Sequence, residues 1–357
     1  MTIIRLPSPS ATATVDTWHA VLRAAHLHDL PVDVPPPGRA QTEGKLRHPS
    51  VNTEAVHLVA VAADGSYDGV ASLVLFLDER NRHTAFLDML AVHPRARKRG
   101  IGAQLWNAVR DELAAHRRTS VTVEVELGGA GEAFAVGLGF TDVLSLAWYV
   151  QNTADALAVH PLPPRLPDGY TWAHWTGVVP DTLAAAFAEA HNAMEDAPSG
   201  DMDRATPAWD ADRVRAAAQV IEDRGGVILS SAVVHTAGGS DTVAAYTELV
   251  LRDPSDVRAL QYDTVVLPAH RGRGLGRAVK RHMLTAVASA HPSVREIATT
   301  VADENRPMLA VNQQLGYRRE RAVGYFQAVL PPERAGRPER QADGDGDAAD
   351  GADGGRA

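Results

Sequence analysis

The chain reads as an α/β protein of the α+β kind, built as two tandem copies of one unit. Each copy is expected to be a mixed, mostly antiparallel sheet flanked by helices. Three observations predict this. A strand–proline–glycine-loop–helix segment occurs twice, as MLAVHPRARKRGIGAQL from Met89 and as DTVVLPAHRGRGLGRAV from Asp263. Further on, GLGF at Gly137 recurs as QLGY at Gln314. The strand runs are grouped as hairpins with few strand–helix–strand alternations, which favours antiparallel pairing.

The spacing supports duplication. Arg97 and Arg271 stand 174 residues apart, and Phe140 and Tyr317 stand 177 apart. Two landmarks thus keep one order at nearly one interval. In the first copy, residues 1–152, a helix near Val15–Ala25 precedes the strands HLVAVAAD, YDGVASLVLFLDE and TAFLDMLAV. In the second, residues 168–330, helices near Asp181–Ala193 and Asp212–Asp223 precede GVILSSAVVHT, TVAAYTELVL and ALQYDTVVL. Each glycine loop opens an amphipathic helix. Ile101, Leu105, Val109 and Leu113 form one apolar stripe, and Val279, Met283, Leu284 and Val287 the other. A strand (SVTVEVEL; REIATTVA), a helix and a last strand complete each copy.

Residues 153–167 fall in TADALAVHPLPPRLPDG, whose prolines suit an extended connection between domains. Residues 331–357 end in QADGDGDAADGADGGRA, too poor in apolar side chains to offset ordering entropy, and are expected to be a disordered acidic tail.

Composition narrows the function. Of 357 residues, 45% are hydrophobic, which suits globular folding. The net charge of −9, with no lysine- and arginine-rich block, argues against nucleic acid as a partner. No apolar run approaches the roughly 20 residues of a membrane helix, and the start shows no signal-peptide pattern, so a cytoplasmic protein without membrane contact is expected. With no cysteine, a thiol nucleophile, a disulfide framework and a cysteine zinc site are excluded. The histidines show no ligand pair at helical spacing, and no catalytic metal is expected.

Both loops have the pattern R-x-x-G-x-G: Arg97, Gly100 and Gly102, then Arg271, Gly274 and Gly276. A loop that opens a helix straight after a strand offers unpaired amide N–H groups and the positive end of the helix dipole. Glycine lets a phosphate approach the backbone. Arg97, Lys98 and Arg99, or Arg271 and Arg273, add positive charge around it. Alone, such a loop is equally a tight turn. The triphosphate loop with Gly-Lys-Ser/Thr and the dinucleotide fingerprint G-x-G-x-x-G are both absent.

Together with the leading strand and proline (LAVHP; VVLP) and the later LGF/LGY, the loops resemble the signature of the GNAT N-acetyltransferase family. The likeness covers most of both copies and is similar to its tandem, two-domain members. It implies acetyl-CoA as cosubstrate, its pyrophosphate on the loop amides of Arg97, Lys98, Arg99, Gly100, Ile101 and Gly102, and of Arg271, Gly272, Arg273, Gly274, Leu275 and Gly276. It implies the thioester against Leu90, Ala91 and Val92, or Thr264, Val265 and Val266. Asn305 matches the family's CoA-contacting asparagine, and Asn312 stands where the family often has a tyrosine that protonates the leaving thiolate; the second copy thus lacks that acid, while the Asn312 amide could still hydrogen-bond the sulfur. In the first copy Gly128 and Ala135 take those places, so the second copy is expected to be catalytic.

Amine acetylation needs a proton acceptor. Glu248 and Asp263 lie within apolar strand runs, either as solvent-facing residues or as functional carboxylates. Tyr262 is a further polar candidate, and Asp88 is the strand acid of the first copy. Glu195, Asp196, Asp201 and Asp203 either attract a cationic amine or form a solvated loop, and His93 and His270 are expected to make local contacts. The expected reaction is acetyl transfer from acetyl-CoA to a primary amine of a small molecule by direct attack. A regulatory acyl-CoA-binding protein and a protein-lysine acetyltransferase are the alternatives. Analogy with tandem relatives suggests antibiotic biosynthesis or resistance, and the sequence sets no oligomeric state.

Overall fold

The computed structural model describes residues 2–6, 11–159, 164–196, 198–237 and 239–330. The tail from residue 331 and part of the proline-rich connection lie outside them. The first half contains β1 (Thr2–Arg5), α1 (Thr12–Asp29), α2 (Arg39–Arg47), β2 (Thr53–Val61), β3 (Tyr67–Phe76), β4 (Thr84–Val92), α3 (Ile101–Ala115), β5 (Ser120–Glu126), α4 (Ala130–Gly137) and β6 (Thr141–Asn152). After α5 (Thr153–Val159), the second half contains β7 (Tyr170–Thr176), α6 (Asp181–Asn192), α7 (Ala211–Asp223), β8 (Val227–Ala237), β9 (Ser240–Leu251), β10 (Arg258–Val266), α8 (Leu275–Ala290), β11 (Glu296–Ala302), α9 (Arg306–Gln314) and β12 (Arg318–Val329).

The twelve strands make one sheet in the order β1-β2-β3-β4-β5-β12-β6-β11-β10-β9-β8-β7. All neighbours pair antiparallel except β4 with β5 and β10 with β11. The last strand of each half is exchanged. β12 pairs with β5 of the first half, β6 pairs with β11 of the second, and the two pair with each other in the middle. The repeat thus divides the polypeptide, while the sheet runs across the division.

Residues 153–159, expected to be extended, form α5 instead. TADALAV contains good helix formers and no proline, and Ala156 and Leu157 reach the apolar cluster around Met283 and Leu284. Thr153 ties this turn down, its hydroxyl reaching the carbonyls of Val294 and Arg295 at 3.1 Å each.

The stripes read from the sequence face the sheet. Leu105, Val109 and Leu113 of α3 are fully buried beside Leu73, Leu75 and Val121, and Met283, Leu284 and Val287 of α8 are buried beside Leu229 and Leu249. α7 starts at an Asp210 cap, whose carboxylate accepts from the Arg213 amide at 2.8 Å.

One feature of the sheet creates space. β10 pairs with β11 only over Arg258–Leu260, against Glu296–Ala298, although both strands continue. β4 and β5 pair only over Thr84–Phe86, against Ser120–Thr122. Beyond those pairs the parallel strands part and leave a notch in each half.

Because β6 and β12 interlock the halves, the protein is expected to unfold in one transition. Leu105→Ala, which removes a fully buried side chain at a cost of about 2–5 kcal/mol, should lower that whole transition. Calorimetry showing two peaks, only one of them moved, would contradict a shared sheet.

Candidate active site

Each glycine loop is a sharp passage from strand to helix. Gly100 (φ 78°, ψ 3°) and Gly274 (φ 75°, ψ 10°) cap α3 and α8 in the left-handed conformation. Two residues earlier, Gly272 has φ 76°, and its counterpart Lys98 has φ 61°. The first copy thus places a side-chain-bearing residue where the second has glycine, at a cost of roughly 1–2 kcal/mol. No atom stands within 4 Å of where a Cβ would lie on Gly272 or Gly274, and no side chain caps α8. The first amides of α8 are therefore left for an anion such as a pyrophosphate, and the loop fits acetyl-CoA.

The motif arginines have a bracing role that the sequence did not reveal. Arg97 Nε donates to the Val92 carbonyl and Arg271 Nε to the Val266 carbonyl, both at 3.1 Å, strapping each loop to the strand it leaves. The rest of the Arg97 guanidinium forms a two-pronged pair with Asp29 at 2.6 Å. Arg97 was expected to add positive charge around a phosphate; its guanidinium is paired instead with the carboxylate at the end of α1.

In the second half, Thr264, Val265, Val266, Arg271, Gly272, Gly274, Leu275, Gly276 and Asn305 line one cleft of about 570 Å3, bounded by Met308 and Val311 of α9. Arg273, between the lining residues Gly272 and Gly274, is exposed and does not itself line the cleft; its guanidinium lies 5.9 Å from the Tyr170 ring centroid. Asn305 caps α9, its Oδ1 accepting from the Met308 amide at 3.2 Å. In the first half, Lys98, Arg99 and Gly100 are exposed and Ile101 is buried in the core, while Leu90, Val92 and Ala91 pack on apolar clusters. There Phe134, at the position of Val311, covers the loop: its ring stands 3.2 Å from where a Cβ of Gly102 would be.

The cleft opens through a junction of about 340 Å3 in the notch between β10 and β11, lined by Asp263, Thr264, Lys280 and Thr299. Lys280 escaped the sequence reading. It is 4% exposed, and burial pushes its ammonium down to about 7. Its Nζ donates to Asn312 Oδ1 at 2.7 Å and lies 4.6 Å from the Tyr317 ring centroid. Asn312, expected beside the sulfur, is 1% exposed behind Lys280, because it sits on the inner face of α9. Tyr317 donates to Gln261 at 2.6 Å, Gln261 to Thr247 at 2.9 Å, and Thr247 meets Thr264 at 2.7 Å. The first half has Trp106 and Phe140 at the positions of Lys280 and Tyr317, with ring centroids 5.2 Å apart. One copy thus has an apolar pair where the other has a buried polar chain ending at the cleft.

Past the junction lies a cavity of about 460 Å3, walled by both halves. A bulge in β10, where Gln261 faces Leu249 but Thr264 faces Thr247, brings Tyr262 and Asp263 to its surface. Glu248 is 8% exposed, which removes the solvent-facing alternative for it. His191 lies between the two acids, Nε2 3.6 Å from Glu248 and Nδ1 3.7 Å from Asp263. The side chains of Phe187, Trp209 and Tyr246 surround the imidazole. Burial pushes His191 down to about 4; burial and the Asp263 charge push Glu248 up to about 8; burial pushes Asp263 up to about 6. One ligand atom from each of the three lies within 4.8 Å of the others. Since the imidazole turns a different nitrogen to each acid, the arrangement suits sharing of protons.

Other expected residues lie elsewhere. Asp203 binds His83 at 2.9 Å and Ser120 at 2.7 Å, so it fastens the second half to the first and is not free to attract an amine. The Asp201 amide bonds the Val143 carbonyl at 3.0 Å. The side chains of Glu195 and Asp196 are outside the described ones. Asp88 is paired with Lys45 at 3.1 Å. His270 holds the Tyr170 hydroxyl at 2.8 Å, and His93 accepts from the Arg95 amide at 3.3 Å, both local contacts. No helix among the described residues is long and apolar enough to cross a membrane.

Comparison with known proteins matches the Acetyltransferase (GNAT) family model to residues 24–140 and 193–317. Among solved structures, a tandem GNAT protein from the clavulanic acid biosynthesis pathway is 27% identical, with a TM-score of 0.79 over 93% of this chain and 99% of that one. A GCN5-related N-acetyltransferase from Sphaerobacter thermophilus is 18% identical, with a TM-score of 0.65 over 92% and 96%.

The cluster makes a spectroscopic prediction. With its value near 4, His191 should remain a neutral imidazole at pH 6 and gain its proton only as the pH falls through about 4. Nitrogen-15 NMR of the imidazole checks this; an imidazolium at pH 6 would contradict the arrangement.

Proposed function

The chain belongs to the acetyltransferase (GNAT) family and is an acetyl-CoA-dependent N-acetyltransferase; from that premise we propose that it acetylates a primary amine of a small molecule at one active centre in the second half. The observation that carries this reading is continuity. The cleft at the glycine loop, the junction and the cavity share Thr264 and then Asp263 along one path. A cavity walled by residues of both halves suits a small acceptor better than a lysine on a protein surface. The neighbour from clavulanic acid biosynthesis supports a setting in small-molecule biosynthesis.

Acetyl-CoA supplies a thioester carbon for the amine nitrogen to attack and a thiolate that leaves. The amides opening α8 hold its pyrophosphate, with Arg273 adding charge, and Asn305 lies beside the pantetheine arm. Asp263, ionised above about 6, accepts the proton of the amine. Glu248 is protonated at neutral pH, so the acid pair carries one negative charge across His191. Lys280 faces the junction with a value near 7 and is the group able to pass a proton to the departing sulfur. Asn312 holds Lys280 in place. The first half contributes a wall of the cavity, including Asp88.

A base must be ionised to act, so kcat/KM should rise as pH increases through about 6. Asp263→Asn should lower kcat by about 100-fold or more and remove that limb. CoA release across an amine panel measures both; unchanged turnover in Asp263→Asn would overturn the assignment.

A further inference from the structure

The cavity that holds Asp263 continues into a second one of about 530 Å3, with Ser50, Thr53, Asp88, Arg224 and Tyr262 common to both. Lys45, Arg224, Arg252, Arg258 and Arg321 line this extension, against the single carboxylate of Asp88. Most of that charge is compensated. Arg258 pairs with Glu296 at 2.7 Å and Glu320 at 2.9 Å, Arg321 with Glu126 at 2.8 Å and with Glu320, and Lys45 with Asp88.

Two cations make no contact ion pair among the described residues, Arg224 feeling Asp88 and Arg252 feeling Asp256 only from farther away. Arg224 donates to the His48 carbonyl at 2.8 Å and the Ser50 hydroxyl at 3.2 Å, both uncharged. Arg252, just past the end of β9, has a buried Nε without a hydrogen-bond partner; Asp256 is its nearest acidic influence, but no carboxylate among the described residues comes within ion-pair distance of it. Burial lowers both guanidinium values, yet arginine keeps its charge. A desolvated cation with no carboxylate in contact is costly, and an anionic ligand group offsets that cost.

We propose that the acceptor is an amine that also carries an acidic group, a carboxylate or a phosphate. The acidic group sits in the corner made by Arg252 and Arg224 while the amine reaches Asp263. This rests on the reading of Asp263 as the acceptor end. It makes Arg252 a specificity-determining residue and gives the interface between the halves a role in substrate choice.

Matched acceptors test it on the full chain: amino acids against the amines left by removing their carboxylate, and phosphoethanolamine against ethanolamine. The acid-bearing member of a pair should be favoured in kcat/KM by about tenfold or more. Arg252→Gln should bring that ratio close to one, and Arg252→Lys should keep part of it. The carboxylate and phosphate arms show which acid the corner prefers. Equal use of both members by the unaltered protein, or a ratio that Arg252→Gln leaves intact, would overturn the inference while leaving the proposed function standing. If no pair is acetylated, calorimetric titration of the same acids into the acetyl-CoA-bound protein decides. Binding lost in Arg252→Gln would uphold the corner and place the failure in the proposed reaction, whereas no binding would overturn the inference.

Discussion

Beyond Leu260, β10 keeps its partner β9 but no longer pairs with β11. A strand released on one edge exposes backbone N–H and C=O groups that the sheet would otherwise consume. In most folds such an edge is a liability; here it lines the junction between the cleft and the cavity. The bulge lies on the same stretch of β10 and turns Tyr262 and Asp263 toward the cavity, while the end of that strand runs into the glycine loop. The cleft at the glycine loop, the junction and the carboxylate proposed as proton acceptor thus all follow from how one strand ends its pairing.

The exchange of β6 and β12 explains why a second copy is retained without a second polar site. Each half lacks its own last strand and takes it from the other, so neither sheet is complete alone. The first copy could then lose the buried polar chain and keep its structural value. Its core has Trp106 and Phe140 where the second has Lys280 and Tyr317, Phe134 lies over Gly102, and Asp29 holds Arg97. Apolar filling is the cheaper solution where no chemistry is needed, since each buried polar group must find a partner. What the first half gives the proposed site is surface: its residues wall the cavity that Asp263 also lines.

Much of this was legible in the sequence because it depends on local constraints. Left-handed φ at Gly100, Gly272 and Gly274 favours glycine, so the loops appear as spaced glycines. The stripes of α3 and α8 appear because burial follows helical period. Glu248 and Asp263 stood out as carboxylates in apolar strands. Lys280 left a signal that went unused: it is a lysine three and four residues before Met283 and Leu284, on the buried face of α8. Other features had no local signal. His191 becomes a partner of both acids only when α6 packs on β9 and β10, and Arg252 becomes a buried cation with an unsatisfied Nε only when the chain closes around it. The strand exchange depends on which long-range pairing wins, and β6 and β12 look alike as isolated strands.

The central claim is that two copies of one fold make one active centre, with the pyrophosphate held at the second loop. Arg99 and Arg273 occupy matching places in the two loops, both exposed, so reversing either charge leaves the core untouched. The most direct measurement is the KM for acetyl-CoA in Arg99→Glu and Arg273→Glu under one set of conditions. Arg273→Glu should raise it about tenfold, a scale set by one charged contact to a phosphate, and Arg99→Glu should leave it near that of the unaltered protein. The reverse pattern would contradict the account.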